Sequence, residues 1–262
     1  MECFVLSHNG LGDNILMVGA LNYLSKFYKN VFFLCKDTNI HHMNFIFKNT
    51  NIFSVGFDSK KEYSDCFEIL KDKYSGFDVF ISGCHKSYLK THKRFQFPLN
   101  HMEQNIFIPS HYNFGANFYR DIDFNPSIMI SNFQINILDE AIQLYNNISK
   151  HKIIFLHTES SQTVINLNHI ITHFILENDY LLLCPNANLY SEHHEKYSLA
   201  NKYIKLPTIF HYTEIIKNAE ELHMIDSSIS CLSLCLMLSS QTLCKKLQIY
   251  NRFTSIPIDL SV

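Results

Sequence analysis

The chain opens with a strand-sized apolar run, MECFVLS, that passes without a linker into His8-Asn9-Gly10-Leu11-Gly12-Asp13-Asn14. An amphipathic segment over 15–28 follows. Strand, glycine turn and helix in that order form the opening unit of an open parallel α/β sheet. Gly10 and Gly12 are expected to permit a tight turn and a close approach by another molecule. Asp13 or Asn14 falls where a helix N-cap belongs. In such sheets ligands bind beyond the carboxyl ends of the strands, where the first N–H groups of the following helix are exposed. Asp13 is therefore a candidate for chemistry, with helix capping as its plainer role.

The same alternation continues. Apolar runs at 31–35, 52–57 and 77–82 read as strands, and the stripes at 40–48 and 62–73 read as helices. This order implies parallel strands joined by right-handed crossovers. Between 95 and 126 the regularity fades, punctuated by Pro98, Pro109 and Pro126. A long irregular stretch of this kind is either functional or a cover. Arg120 and Asp121 are expected there as an exposed pair. After a helix at 139–148 the pattern restarts, with strands expected at 152–156, 180–184, 203–206, 222–225 and 247–250. Helices are expected at 164–177, 191–200 and 213–219, and an apolar helix after Asp226. The fold class is thus α/β, as two Rossmann-like, doubly wound domains, 1–150 and 151–262, facing each other across a cleft.

Composition narrows the partners. A formal charge of −2 over 262 residues provides no basic field, which argues against nucleic acid. No apolar run approaches the ~20 residues of a membrane span, and the N-terminus lacks a signal-peptide pattern, so a cytoplasmic location is expected. The eight cysteines are scattered and read as buried thiols. The fifteen histidines form no four-ligand pattern, so no metal is expected. Many Asn, Ile, Lys and Phe residues, with 7 Gly and no Trp, match drift in an AT-rich, reduced or viral-like genome.

A second polar cluster lies late in the chain. Asp226-Ser227-Ser228 sits between a strand and an apolar helix, where hydroxyls and first-turn N–H groups suit a phosphate. Here too capping is the simpler role, at about 1 kcal/mol. The turn Thr158-Glu159-Ser160-Ser161 offers hydroxyls at another strand end, and together the two turns would make a diphosphate cradle.

These motifs carry a resemblance. His8 to Leu16, HNGLGDNIL, resembles the N-terminal signature of the heptosyltransferase-like glycosyltransferases (family 9, GT-B fold). The segment EIIKNAEELHMIDSS, 214–228, is similar to that family's late donor-site motif. The resemblance implies an inverting glycosyltransferase that moves a sugar from a nucleotide-sugar donor to a glycan or other hydroxyl acceptor. Asp13 would match the catalytic base. Gly12, Asn14, Thr158, Ser160, Asp226, Ser227 and Ser228 would contact the donor, with no cofactor beyond that substrate and no metal. From its position alone, and not from the resemblance, the aromatic stretch 95–119 is expected to cover the acceptor side.

The chain also departs from the family pattern. Ser228 and Ser230 or Cys231 stand where a Gly and a His are usual, and the basic residue expected after the Thr/Ser turn is missing. Lys205 and Lys86 are the candidate substitutes. Two further readings remain: an inactive GT-B-like binding or scaffold protein, and a sugar-nucleotide epimerase drawing on His157, Glu159 or Glu192. A dinucleotide oxidoreductase is disfavoured, because no acid stands in register after the glycines.

Overall fold

The computed structural model describes residues 1–7, 10–74, 76–87, 91, 113–239 and 246–258. His8, Asn9, Cys244 and the part of the irregular stretch from 95 to 112 lie outside the described residues. The chain divides into two compact units, Met1–Asn136 and a second from Ile137 onward. This division falls before the expected boundary near Lys150. The helix Asp139–Asn146 belongs to the second unit, where the Tyr203 hydroxyl donates to the Leu144 carbonyl (3.0 Å).

Each unit is built on a four-stranded parallel sheet. The first holds β1 (Glu2–Leu6), β2 (Asn30–Lys36), β3 (Ile52–Phe57) and β4 (Asp78–Ile81), in the order β3-β2-β1-β4. The second holds β5 (Lys152–His157), β6 (Tyr180–Leu183), β7 (Glu221–Ile225) and β8 (Lys246–Tyr250), in the order β6-β5-β7-β8. The central strands are near-continuous apolar runs because both faces of a parallel sheet are covered. Phe4, Leu6, Leu34, Phe57, Cys66, Leu70 and Ile81 form one such core. In each sheet the order reverses once, between β1 and β4 and between β5 and β7. Those reversals are the points where an open α/β sheet leaves a crevice at its carboxyl edge.

The first helix departs from the sequence expectation. It is broken at Met17 into Leu11–Leu16 and Val18–Leu24. The cause lies 103 residues away: the buried Tyr119 hydroxyl donates to the Leu16 carbonyl (2.7 Å) and accepts from the Ala20 N–H (3.1 Å). A side chain inserted between those two groups replaces one helical bond and bends the axis. Gly19 fixes the second piece, since a Cβ there would lie 2.5 Å from the Ile128 carbonyl oxygen.

Three further expectations are corrected. Residues 203–206 form no strand, because Lys205 adopts φ 50° and the Tyr212 hydroxyl holds both the Leu206 N–H and the Tyr203 carbonyl. The helix expected from 164 begins only at Asn168, after Val164 has paired antiparallel with Glu159. The helix expected over 191–200 shortens to Tyr197–Asn201. Just before it, the buried Lys196 ammonium donates to the carbonyls of Glu177, Asn178 and Tyr180.

The helix Ser228–Leu238 matches its sequence pattern. It is apolar on every side and therefore buried on every side, with the Ser230 and Ser233 hydroxyls satisfied by backbone carbonyls. The seven described cysteines are free thiols, all buried except the half-buried Cys84. Among the described residues no helix is long and apolar enough to cross a membrane.

Candidate functional site

At the first unit's reversal point, β1 leads through Ser7 towards Gly10 and the helix Leu11–Leu16. Gly10 is the N-cap, with an ordinary φ of −65°, so Asp13 is the third helical residue and neither it nor Asn14 is the cap. The Gly10 N–H donates to Asp13 Oδ2 (3.2 Å). A Cβ on Gly10 would lie 2.7 Å from that same oxygen. The glycine is therefore needed for space beside the carboxylate rather than for a left-handed turn. Gly12 lies inside the helix, and among the described residues Gly83 alone of the glycines has positive φ, at 66°. Asn14 is 1% exposed and is part of this unit's interior.

Across the reversal, β4 leads into Ser82 and Gly83. The Gly83 N–H donates to Asp121 Oδ2 (2.9 Å), and the Lys86 ammonium binds the other oxygen of that carboxylate. Arg120 instead donates to Asn117 Oδ1 (2.7 Å), so Arg120 and Asp121 are not the exposed pair expected. Asp121 ends the helix Asn113–Asp121, where a negative charge opposes the helix dipole. The Gly83 N–H and Lys86 offset that cost.

The second unit's reversal point gathers more of the predicted residues. His157 ends β5, and Asp226-Ser227 follow β7, its direct neighbour. His157 Nδ1 pairs with Ser227 Oγ at 3.2 Å, which joins the two polar turns. His157 is 7% exposed, and burial pushes its pKa down to about 4, so it is neutral near pH 7. Ser227 is the N-cap of Ser228–Leu238, its N–H donating to Ser230 Oγ (2.8 Å). The first N–H groups of this helix, starting at Ser228, have no acceptor within it. Asp226 is held by its N–H to the Tyr250 carbonyl (2.9 Å).

The Thr158 turn is mixed. Thr158 Oγ1 lies 3.9 Å from Cys184 Sγ at the end of β6, facing the same edge. Ser160 Oγ accepts from the N–H groups of Gln162 and Thr163 (3.3 and 3.2 Å) and so closes a local turn. Thr158, Asp226, Ser227 and Ser228 thus share one edge, Ser160 serves its own loop, and Gly12 and Asn14 belong to the other unit. Lys205 is exposed and sits on a turn whose N–H donates to the Pro185 carbonyl.

One residue escaped the sequence reading. Arg252, just after β8, places Nε 3.3 Å from Asp226 Oδ2. The contact is within ion-pair distance, yet the N–H does not point along it, so charge rather than a directed hydrogen bond holds the pair. Its only sequence signal was an arginine placed directly after a predicted last strand. Among the described residues no three His, Cys, Asp or Glu side chains gather as a metal site.

No family model matches the sequence, and no curated protein matches it. Solved structures do resemble it. The family 9 glycosyl transferase from Veillonella parvula superposes with a TM-score of 0.56 at 12% identity, over 95% of this chain and 80% of that one. The E. coli ADP-heptose LPS heptosyltransferase II gives 0.53 at 8% identity, over 95% and 90%. The E. coli heptosyltransferase WaaC, solved with ADP, gives 0.52 at 10% identity, over 98% and 94%. Over nearly its whole length, then, this chain has the two-unit GT-B fold of the heptosyltransferase-like glycosyltransferases.

Proposed function

We propose that this chain is an inverting glycosyltransferase that uses a nucleotide-sugar donor. Asp13 takes the proton of an acceptor hydroxyl, whose oxygen bonds to the anomeric carbon as the bond from that carbon to the diphosphate breaks. The nucleoside diphosphate leaves and the anomeric configuration inverts. Thr158, Ser227, Ser228 and the N-terminus of the helix Ser228–Leu238 bear the leaving group's charge without a metal ion. One observation supports this reading above the rest: the predicted residues of both motifs lie at the strand-order reversals of their own sheets.

The test is a thermal-shift screen of the full chain against UDP-, GDP-, ADP-, CMP- and dTDP-sugars, repeated with Asp226→Ala. One nucleotide class should stabilise the protein and lose its effect in the variant. If no nucleotide shifts the melting point, the reading fails.

A second reading, an inactive GT-B-like binding protein, is favoured by one observation. The Asp13 carboxylate already accepts the Gly10 N–H, as a purely capping acid would. Nucleotide binding without any transfer would establish it. No observation favours the epimerase reading: His157 is buried against Ser227, and Glu159 and Glu192 are exposed.

A further inference from the structure

We propose that Arg252 is the cation that binds the donor's diphosphate, oriented for that task by Asp226. The inference rests on the glycosyltransferase reading and names the charge which that reading otherwise lacks. A diphosphate brings two or more negative charges to an edge where Asp226 would repel it. His157 is neutral there, and three of the unit's other cations are engaged elsewhere, while Lys205 is exposed on the turn beside Pro185. Lys196 serves three carbonyls, Lys217 pairs with Glu214, and Lys246 pairs with Glu221 at the opposite end of β7.

The loop that carries Arg252 is constructed rather than loose. Asn251 Oδ1 accepts from the N–H groups of Phe253 and Thr254 (2.8 and 3.2 Å). The Asn251 carbonyl accepts from the Ser255 N–H (2.8 Å), and the Asn251 N–H donates to the Ile256 carbonyl (2.9 Å). Ser255 takes φ 56°, which closes the turn, and Pro257 returns antiparallel to Tyr250. This frame fixes the Arg252 backbone beside the end of β8, next to Asp226 and Ser227 at the end of β7.

The side chain is held but not satisfied. Nε is buried near Asp226 without an aligned acceptor, while the side chain as a whole is 39% exposed and the guanidinium carbon lies 5.6 Å from the Phe253 ring centre. Among the described residues, its terminal nitrogens donate no hydrogen bond. A planar guanidinium with one edge near a carboxylate and the other open matches the forked geometry of a phosphate group. Asp226 then acts through Arg252: it anchors the arginine and offsets its charge before the donor arrives.

The test measures affinities of the full chain, by calorimetry, for ADP, UDP, GDP, CDP and dTDP, and for the monophosphate of whichever base binds. Arg252→Gln should weaken the diphosphate about tenfold or more, the scale of a charge-assisted hydrogen bond. It should change the monophosphate by less than about threefold, and Arg252→Lys should retain part of the diphosphate affinity. Melting points of both variants without ligand report folding. Equal losses for diphosphate and monophosphate would mark a merely structural arginine and overturn the assignment. So would unchanged diphosphate affinity in Arg252→Gln, and in that case the glycosyltransferase reading would stand. A wild-type chain that binds no nucleotide would instead remove that reading, and this inference with it.

Discussion

The two carboxyl edges each present an acid, but they compensate it by different means. In the first unit Asp13 is held by a backbone N–H three residues away, within a six-residue helix. In the second, Asp226 faces a full positive charge from a residue on another strand's loop. A backbone N–H leaves the carboxylate it binds charged and able to take a proton. A guanidinium cancels the charge and makes the neighbourhood tolerant of an anion. In the proposed reading the first arrangement holds the base and the second seats the leaving diphosphate.

The largest expected effect tests the first half of that contrast. Asp13→Asn keeps an oxygen that accepts the Gly10 N–H, so the helix start should survive, while the base is lost. Sugar transfer should fall by roughly 10²–10⁴-fold with nucleotide affinity unchanged within about twofold. A fall of less than tenfold would reduce Asp13 to a cap and erase the difference between the edges.

The next effect belongs to the second edge and is read as stability against pH. His157 has its proton affinity lowered by burial, from an ordinary 6.5 to about 4. The unfolded chain therefore binds a proton there before the folded chain does. Stability is fully present above pH 6.5 and declines as pH falls from there towards 4, by on the order of 3 kcal/mol from this group. The buried His223 has its proton affinity lowered by burial too, so it adds to the decline in the same direction. Urea unfolding of His157→Gln should show a shallower acid slope than the wild type. An unchanged slope would mean that the imidazole is not the neutral, desolvated group described.

Much of this was legible in the sequence because it depends on local pattern. All eight strands among the described residues coincide with apolar runs, and the Asp226-Ser227 turn and its buried helix follow from composition alone. What was illegible depends on distant partners. Nothing near residue 17 announces that Tyr119 splits the first helix. Nothing near Asp226 announces Arg252, which reaches it only because β8 lies beside β7. Residues 203–206 carry strand-forming side chains, but the Tyr212 hydroxyl and a left-handed Lys205 hold them in a turn. Ser160 matched a motif by residue type, and its hydroxyl turned out to close its own loop.

The inserted tyrosine provides the third test, since it separates how the two edges are supported. The first unit's helix start is braced from 103 residues away, whereas Ser228–Leu238 is continuous, buried, and capped at its start by Ser227 and Ser230. Tyr119→Phe leaves the Leu16 carbonyl and the Ala20 N–H without the hydroxyl that joins them, and Gly19 against Ile128 resists closing the gap. A loss of about 2 kcal/mol in unfolding free energy is expected. A cost near zero would show that the helix straightens and that the break at Met17 is not enforced.

The smallest effect is the most specific to the comparison. Gly10→Ala adds one methyl group at a backbone conformation, φ −65°, that alanine adopts without strain, so folding should change by only a few tenths of a kcal/mol. The added carbon, however, meets Asp13 Oδ2 at 2.7 Å and must push the carboxylate off the Gly10 N–H. The displaced group is a flexible carboxylate tip, so the backbone need not move. If Asp13 is a base whose position matters, transfer should fall about tenfold, or ~1.4 kcal/mol in the barrier, at nearly constant melting temperature. If Asp13 is only a cap, the reverse should be seen: transfer unchanged and a small loss of stability. A methyl group placed at one edge thus separates a positioned base from a capping acid, a distinction that the larger Asp13→Asn change draws less sharply because it removes charge as well as position.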